Sequence, residues 1–471
     1  MSRVPILVIL GATGSGKSKL GIELAEKFTG EIISADSMQV YKGLDIITAK
    51  VTKEERLQAV HHLIDVVDPL VNFTVVDFRN RALPIIDALI SKKKMPVIVG
   101  GTNYYIESLL WKILIEDPNE KKVSGTETSC ISFSEKNSAS VDNIKKPEEE
   151  KIEKEKEESD EELLIKKPRL ELPESNEELH EKLAQVDPDM ARRLHPNNRR
   201  KVIRSLEVFE KFGTRHSELL KLQREAGGSG LGGPLRYQEP IILWLCCDQE
   251  VHDKRLNSRV DSMVEAGLVK ELLDFHERYN EDRLKNNEAP DYTKGIFQSI
   301  GFKEFHNYLI LPEDERSSEK GQKMLQESIA ELKLVTRRYA RKQKKWIMNR
   351  MIRRTDRQVP SVYSLNCTHI DKWKSDVLEP AIEIVSSLLK GEKPKQHMPL
   401  NEQVKNRKVA DSSNEESHFC QICERIFIGE LQWKVHLRSI KHKKVEKRKR
   451  LAANKEATTK KEKLEKAPGS V

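Results

Sequence analysis

The chain has 471 residues, which exceeds one ordinary domain of roughly 100–200 residues, so we expect two or three folded units. Charged residues make up 34% of it and no run of about 18 uncharged apolar residues occurs, which excludes a membrane-spanning helix. The net charge of +8 is unevenly distributed and points to a polyanionic partner. The apolar run that starts at residue 4 leaves no room for a signal peptide or mitochondrial presequence, so we expect a cytoplasmic or nuclear protein.

Residues 1–110 predict the first part of an α/β core built on a parallel sheet. Continuous apolar runs at 4–10, 31–35 and 95–99 are typical of strands that are buried on both faces. Residues 17–28 and 75–90 have the apolar spacing of amphipathic helices. Strands that alternate with helices through short loops predict a three-layer α/β sheet, and the phosphate-binding loop described next makes this a P-loop NTPase-like fold.

A complete G-x-x-x-x-G-K-S sequence follows the first strand and opens the first helix, which is the context that this phosphate-binding loop requires. Its residues are Gly11, Ala12, Thr13, Gly14, Ser15, Gly16, Lys17 and Ser18. The glycines let backbone N–H groups converge on phosphate oxygens, Lys17 neutralises the distal phosphate, and the Ser18 hydroxyl can reach Mg²⁺. The loop predicts a site for a phosphorylated small molecule and does not specify which one.

Two further motifs follow neighbouring strands. The first is the segment 36–41, which begins with Asp36, and the second is the segment 100–105, which contains Thr102. Ligands of open α/β sheets lie beyond the carboxyl ends of the strands, so Asp36 should face the phosphate pocket, where it could hold Mg²⁺ through water or accept a proton. Taken alone, Asp36 could instead be a helix N-cap, and 100–105 an ordinary turn.

Residues 111–200 predict a helical insertion that contains a highly charged segment. Between residues 145 and 162, fifteen of eighteen residues are Lys, Asp or Glu, so we expect 121–172 to be disordered. The core resumes at 201–390, with a fourth buried strand at 240–247.

Two basic segments predict RNA contacts or, on composition alone, solvated surfaces. The first includes Arg199, Arg200 and Lys201, which open a predicted helix. The second is a predicted helix at 328–354 with no acidic residue after residue 335, and its basic residues include Arg337, Arg338, Arg341 and Lys342. Each phosphate contact releases counterions, so both segments suit a nucleic acid.

A linker at 391–416 precedes a zinc-finger pattern at 417–445 and a basic tail at 446–471, which we expect to be disordered. Four residues have the C-x2-C-x12-H-x5-H spacing of a structural Zn²⁺ site: Cys420, Cys423, His436 and His442. Phe427 and Trp433 fall where a ββα finger needs its core side chains. One finger reads about three base pairs, so it cannot specify a genomic site by itself. The x5 spacing between the histidines and the basic run at 441–450 suit RNA or phosphate-backbone contact better.

In this order, the motifs resemble those of the tRNA dimethylallyltransferases, also called tRNA isopentenyltransferases, in their eukaryotic form with a C-terminal zinc finger. The resemblance covers residues 4–346, interrupted by the acidic segment. It rests on six segments in the family's order: 11–18, 36–41, 100–105, 199–207, 295–304 and 336–346. It implies transfer of a dimethylallyl group from dimethylallyl diphosphate to N6 of the adenosine at position 37 of tRNA.

The resemblance also implies how the reaction proceeds. Asp36 would remove the N6 proton as the C–N bond forms, because the amine is a poor nucleophile. Lys17, Ser18 with Mg²⁺, and Arg204 would stabilise the leaving diphosphate.

Other residues take implied roles around the substrates. Thr13 and Thr102 would lie beside the reacting centre, and Gln39 would contact a base edge. The remaining implied tRNA contacts are Asp36, Ser37, Met38, Arg199, Arg200, Lys201, Gln298, Arg337, Arg338, Arg341 and Lys342.

Two other functions stay open on sequence alone. A P-loop small-molecule kinase with an RNA-binding zinc finger would share the loop at 11–18 and would need ATP. A pure binding protein would use only the finger and the basic helices. For the transferase, the expected partners are the tRNA anticodon stem-loop and dimethylallyl diphosphate. We expect a monomer without membrane contact, and the resemblance implies a mitochondrial pool as well.

Overall fold

The computed structural model describes residues 4–112, 175–225, 233–285, 292, 295–354, 358–401, 417–428 and 430–465. The segment 121–172, predicted to be disordered, lies outside the described residues. The described chain divides into two compact units, one formed by 4–112 and 220–401, the other by 175–219 and most of 417–465. Within these residues, no helix has both the length and the apolarity needed to cross a bilayer.

A six-stranded parallel sheet forms the centre of the first unit. Its strands are β1 (Leu7–Gly11), β2 (Gly30–Ser34), β3 (His61–His62), β4 (Met95–Val99), β5 (Ile241–Cys246) and β6 (Val362–Asn366). Their spatial order is β3-β2-β4-β1-β5-β6. The four predicted strands are confirmed, whereas the edge strands β3 and β6 lack the continuous apolar runs on which that prediction depends.

Helices cover both faces of this sheet. The first four are α1 (Lys17–Lys27), α2 (Lys53–Gln58), α3 (Val75–Ser91) and α4 (Asn103–Leu110). Successive side chains of a strand point to opposite faces. Ile9 of β1 accordingly packs in one apolar cluster with Leu20 of α1, and Val8 packs in another with Phe78 of α3. This three-layer arrangement confirms the predicted P-loop-like α/β class.

The insertion in the second unit is helical, as predicted. Its elements are α5 (Asn176–Val186), α6 (Pro188–Arg193), α7 (Arg199–Phe212) and the beginning of α8 (His216–Glu225). The insertion extends to Leu219, so its predicted end at residue 200 is wrong. The reason is that α7 buries Val202 and Val208 and packs against α5 within the second unit.

Helices of the first unit return after β5. They are α9 (Gln249–Glu265), α10 (Leu268–Lys285), α11 (Phe302–Leu309), α12 (Glu313–Arg316), α13 (Glu319–Ile347) and α14 (Glu379–Leu389). The basic helix α13 begins before its predicted start at residue 328 and continues into a π-helical turn, Met348–Ile352. It packs against α9 and α11 and contacts α4 and β1, which places it beside the phosphate-binding loop.

The predicted finger at 417–445 forms a ββα fold. Strands β7 (Ser417–Cys420) and β8 (Arg425–Ile428) pair antiparallel and precede a helix, Glu430–Leu437. The rings of Phe427 and Trp433 lie 6.1 Å apart in its core. A further helix, Ile440–Glu465, shows that the prediction of a disordered tail is wrong over residues 446–465. That stretch contains no Gly or Pro and is rich in Lys, Glu, Ala and Leu, which favour helix.

Candidate active site

The phosphate-binding loop has the backbone that its glycines predict. Gly14 and Gly16 have φ angles of 74° and 89°, in the left-handed region that glycine tolerates best. A Cβ atom on Gly16 would lie 2.7 Å from the ring of Trp373, so no side chain fits at this position. Gly16 caps the eleven-residue helix α1. The first N–H groups of a helix have no partner within it, so this end of α1 suits an anion.

Lys17 lies at the same end of α1. The residue is partly exposed to a cavity, but its ammonium is enclosed by protein and donates a hydrogen bond to the carbonyl of Ala12 at 2.8 Å. Burial lowers the pKa of Lys17 to about 8; the charge of Asp36 opposes this change, and that of Arg259 adds to it. A bound anion would oppose the change further, because it stabilises the charged ammonium.

Residues from distant parts of the chain hold Thr13 in place. The backbone N–H of Thr13 donates to Oε1 of Gln343 at 2.8 Å, and its carbonyl accepts from Nε2 of His252 at 2.8 Å. Burial lowers the pKa of His252, which favours the neutral ring with its proton on Nε2. The Gln343 amide also donates to the carbonyl of Gly101 at 2.9 Å. Gln343 therefore joins the phosphate-binding loop to the segment after β4.

Asp36 follows β2 at the same edge of the sheet. One carboxylate oxygen accepts from the backbone of Met38 at 3.0 Å, which closes a local turn. Thr102 holds the next residue: its hydroxyl accepts from the backbone N–H of Ser37 at 2.9 Å. Thr102 does not border either cavity described below, so it supports the Asp36 segment instead of lying at the reacting centre as predicted.

Two cavities meet at Asp36. The loop cavity, of about 370 Å³, is bordered by Gly14, Lys17 and Ser18. The second cavity, also about 370 Å³, is bordered by Met38, Gln298 and several apolar side chains. Six residues border both cavities: Thr13, Asp36, Thr48, Ala49, Arg259 and Tyr339. A carboxylate therefore stands where a group bound at the loop would meet a molecule in the second cavity, which is the arrangement the sequence predicts.

Arg259 of α9 is the arginine that the structure brings to the loop. Its guanidinium lies 3.4 Å from the hydroxyl of Thr13, and burial lowers its pKa against the opposing charge of Asp36. Arg204, predicted for this role, lies on α7 in the second unit, where it is exposed and forms an ion pair with Glu207 at 3.4 Å. A role for Arg204 at the diphosphate stays a prediction.

Gln39 contacts the protein with both ends of its amide. Nε2 donates to the carbonyls of Thr48 and Ala49 at 3.2 and 3.1 Å, and Oε1 accepts from the hydroxyl of Ser34 at 3.1 Å. Gln39 thus holds the 48–49 segment, which borders both cavities. This engagement contradicts the prediction that the amide is available to a base edge, whereas Ser37, Met38 and Gln298 do border the second cavity.

The predicted basic residues fall into two groups. Arg338, Lys342, Arg200 and Lys201 are exposed. Others have partners: Arg337 bonds to Asn257, Arg341 pairs with Asp253, and Arg199 donates to Asn176 at 3.4 Å. An RNA contact for these residues stays a prediction.

The Cys and His residues of the finger converge as predicted. The ligand atoms of Cys420, Cys423, His436 and His442 all lie within 4.8 Å of one another, and the Cys423 sulfur lies 3.5 Å from Nδ1 of His442. Zn–S and Zn–N bonds of about 2.3 and 2.0 Å at tetrahedral angles require separations of roughly 3.3–3.8 Å between ligand atoms. The four residues form a structural zinc site.

Comparison with known families separates the functions that the loop alone leaves open. A family model described as IPP transferase matches residues 39–350, and a second, isopentenyl transferase, matches 4–67. The chain belongs to the IPP transferase family. A third model, zinc-finger double-stranded RNA-binding, matches residues 417–443 of this IPP transferase.

Individual relatives agree with this assignment. A human protein named tRNA dimethylallyltransferase is 47% identical over 454 residues, which cover 95% of this chain and 87% of the relative. One from Thermoanaerobacter pseudethanolicus is 35% identical over 73% of this chain and 88% of its own length. A crystal structure of a eukaryotic dimethylallyltransferase acting on tRNA superposes with a TM-score of 0.65 at 28% identity, covering 96% and 99% of the two chains. These relatives support the transferase prediction over the small-molecule kinase.

Proposed function

We propose that this IPP transferase moves a dimethylallyl group from dimethylallyl diphosphate to N6 of the adenosine at position 37 of tRNA, releasing diphosphate. The observation that carries the proposal is the position of Asp36, which borders both the cavity of the phosphate-binding loop and the second cavity. One cavity suits a diphosphate and the other has the size and the partly apolar lining for a base. The names of the relatives support tRNA as the acceptor and a dimethylallyl group as the group transferred.

Asp36 acts as the general base. The lone pair of N6 is delocalised into the purine, so the amine attacks only as its proton is removed. A carboxylate at the junction of the cavities is placed to take that proton while the C–N bond forms on the side of the loop. Two hydrogen bonds fix the segment that carries Asp36: the one from Met38 to Asp36 and the one from Ser37 to the Thr102 hydroxyl. Little reorganisation is therefore needed during the reaction.

Positive groups stabilise the leaving diphosphate. The allylic carbon tolerates developing positive charge, so the main barrier is the charge that builds on the departing oxygens. Lys17, Arg259 and the N–H groups at the start of α1 border this site, and preorganised donors of this kind contribute strongly in an enclosed cavity. Arg259 also faces Thr13, which borders both cavities, so it reaches the region where the C–O bond breaks.

The residues at the loop fit a Mg²⁺ ion. Ser18 and Asp36 offer oxygen donors beside Lys17 in the loop cavity, and Mg²⁺ prefers oxygen ligands shared with phosphates. Ser18 would hold the ion directly, with Asp36 contributing through water. A bound Mg²⁺ would neutralise part of the diphosphate charge.

The tRNA is held largely through its phosphates. Position 37 lies in a single-stranded loop, so its base can be extruded into the second cavity without breaking a base pair. Exposed Arg338 and Lys342 on α13 and the basic helix Ile440–Glu465 after the finger are suited to the RNA backbone. The finger, which matches a double-stranded RNA-binding model, suits the paired stem.

Mass analysis of nucleosides tests the proposal. Anticodon stem-loop RNA incubated with the protein, Mg²⁺ and dimethylallyl diphosphate should yield dimethylallyladenosine at position 37, and Lys17→Ala protein should yield none. ATP in place of dimethylallyl diphosphate should be neither hydrolysed nor used as a donor. Unmodified adenosine under conditions where both ligands bind would reject the function.

A further inference from the structure

We propose that Tyr104 is a stacking platform for an unpaired base of the anticodon loop, close to the adenosine that enters the second cavity. The inference rests on the proposed function, since it presumes RNA at this edge of the sheet. Tyr104 lies in the first turn of α4, two residues after Thr102, and it is 59% exposed. Sequence-specific RNA-binding proteins commonly stack unpaired bases on such exposed aromatic rings.

The ring of Tyr104 is held on one side by neighbours from α13 and the turn after it. Trp346 approaches it edge-on, with ring centroids 5.7 Å apart and planes at 72°. The guanidinium of Arg350 lies 5.9 Å from the Tyr104 ring and 5.5 Å from the Trp346 ring, and Glu107 pairs with it at 3.4 Å. An aromatic ring fixed in this way loses little side-chain entropy when a base stacks on its exposed part.

One face of α13 leads from the cavities to this platform. Tyr339, Gln343 and Trp346 recur at spacings of four and three residues, which places them on one side of the helix. Tyr339 borders both cavities, Gln343 bonds to Gly101, and Trp346 contacts Tyr104. The seven residue steps from Tyr339 to Trp346 span about 10 Å of helix axis. Stacked nucleotides rise about 3.4 Å each, so Tyr104 can reach a base within roughly three positions of the target.

The charge around the platform suits RNA. Arg338, Lys342 and Lys345 are exposed on the neighbouring face of α13. In the part of the chain that the structure describes, Arg341 and Arg350 form the ion pairs at this end of the helix and in the turn after it, and these three residues form none. Lysine and arginine side chains beside an aromatic ring form the combination that binds single-stranded nucleic acid by backbone contact and base stacking.

Tyr104→Ala and Tyr104→Phe test the platform. Fluorescence anisotropy with the anticodon stem-loop should show roughly 5- to 100-fold weaker binding for Tyr104→Ala, and near wild-type binding for Tyr104→Phe, because the phenyl ring keeps the stacking surface. The KM for the RNA should rise in Tyr104→Ala while the KM for dimethylallyl diphosphate stays the same. Leu70→Ala, at a side chain that is 58% exposed, is the matched control and should leave RNA binding unchanged.

Abasic substitutions identify the base. Each stem-loop in this set lacks one base near position 37. One of these RNAs should bind wild-type protein as weakly as the intact RNA binds Tyr104→Ala. Tyr104→Ala should bind that abasic RNA and the intact RNA with the same affinity. Additive losses at every position, or equal losses in Tyr104→Phe and Tyr104→Ala, would overturn the stacking contact. Wild-type protein that shows the coupling but makes no dimethylallyladenosine would contradict the proposed function and leave the contact standing.

Discussion

Replacing Lys17 by methionine should stabilise the ligand-free protein while it abolishes transfer. Burial beside Arg259 lowers the pKa of Lys17 from 10.5 to about 8, and each pKa unit corresponds to about 1.36 kcal/mol. Keeping Lys17 charged in the folded protein at pH 7 therefore costs roughly 3 kcal/mol. Methionine removes that cost, but it also leaves the Ala12 carbonyl without its hydrogen bond, which destabilises the folded protein by about 1–2 kcal/mol. A net gain of about 1–2 kcal/mol should raise the Tm by a few degrees.

The pH dependence of this stabilisation has a definite sign. Between pH 8 and 10.5, Lys17 is protonated in the unfolded chain and largely neutral in the folded protein. The unfolded state then binds more protons, so wild-type stability rises with pH through this window. The advantage of Lys17→Met should be largest at pH 7 and disappear as the pH approaches 10.5.

Thermal unfolding at pH 7, 8.5 and 10 measures the effect. Inorganic diphosphate at pH 7 should raise the Tm of the wild type and not that of Lys17→Met. Lys17→Ala removes the aliphatic chain together with the charge, so it serves as the control for lost packing. A ligand-free Lys17→Met protein that is less stable than wild type at pH 7, or whose difference does not vary with pH, would refute the reasoning.

Three further predictions concern other parts of the molecule. Gln343→Leu loses its bonds to Thr13 and Gly101 and should lower kcat by about 10- to 100-fold without changing RNA affinity; steady-state kinetics that show only a raised KM for RNA would contradict this. Arg259→Met should weaken inorganic diphosphate binding by at least about 10-fold in calorimetry, since it removes a buried charge at the loop, and unchanged binding would exclude Arg259 from that role. Cys423→Ser should release the finger's zinc and weaken stem-loop binding at unchanged Tm of the first unit; retained zinc, measured by elemental analysis, would count against the proposed ligand set.

Features that depend on consecutive residues could be predicted from the sequence. The loop at 11–18, Asp36 at the end of β2 and the finger ligands each follow from a local pattern whose chemistry fixes their geometry. The four central strands follow from continuous apolar runs for the same reason. The two-residue strand β3 offers no such run, and it forms because β2 is available to pair with it.

Partners supplied by distant segments could not be predicted in this way. Arg259 and Gln343 are separated from Thr13 by 246 and 330 residues, and neither belongs to a local motif. A signal for Gln343 does exist, since a polar residue that lies between Tyr339 and Trp346 on a buried helix face needs hydrogen-bond partners. Arg204 illustrates another limit, because a basic run indicates positive charge but not the direction in which each side chain points, and its role stays a prediction.

The rate of a single turnover in Asp36→Asn protein tests the central claim most directly. With dimethylallyl diphosphate and stem-loop RNA both saturating, rapid-quench measurement should show alkylation at least about 100-fold slower than in the wild type. Without Mg²⁺, inorganic diphosphate should bind the variant at least as tightly as the wild type, because the substitution removes a negative charge close to Lys17. Alkylation at a near wild-type rate would contradict the assignment of Asp36 as the base between the two cavities.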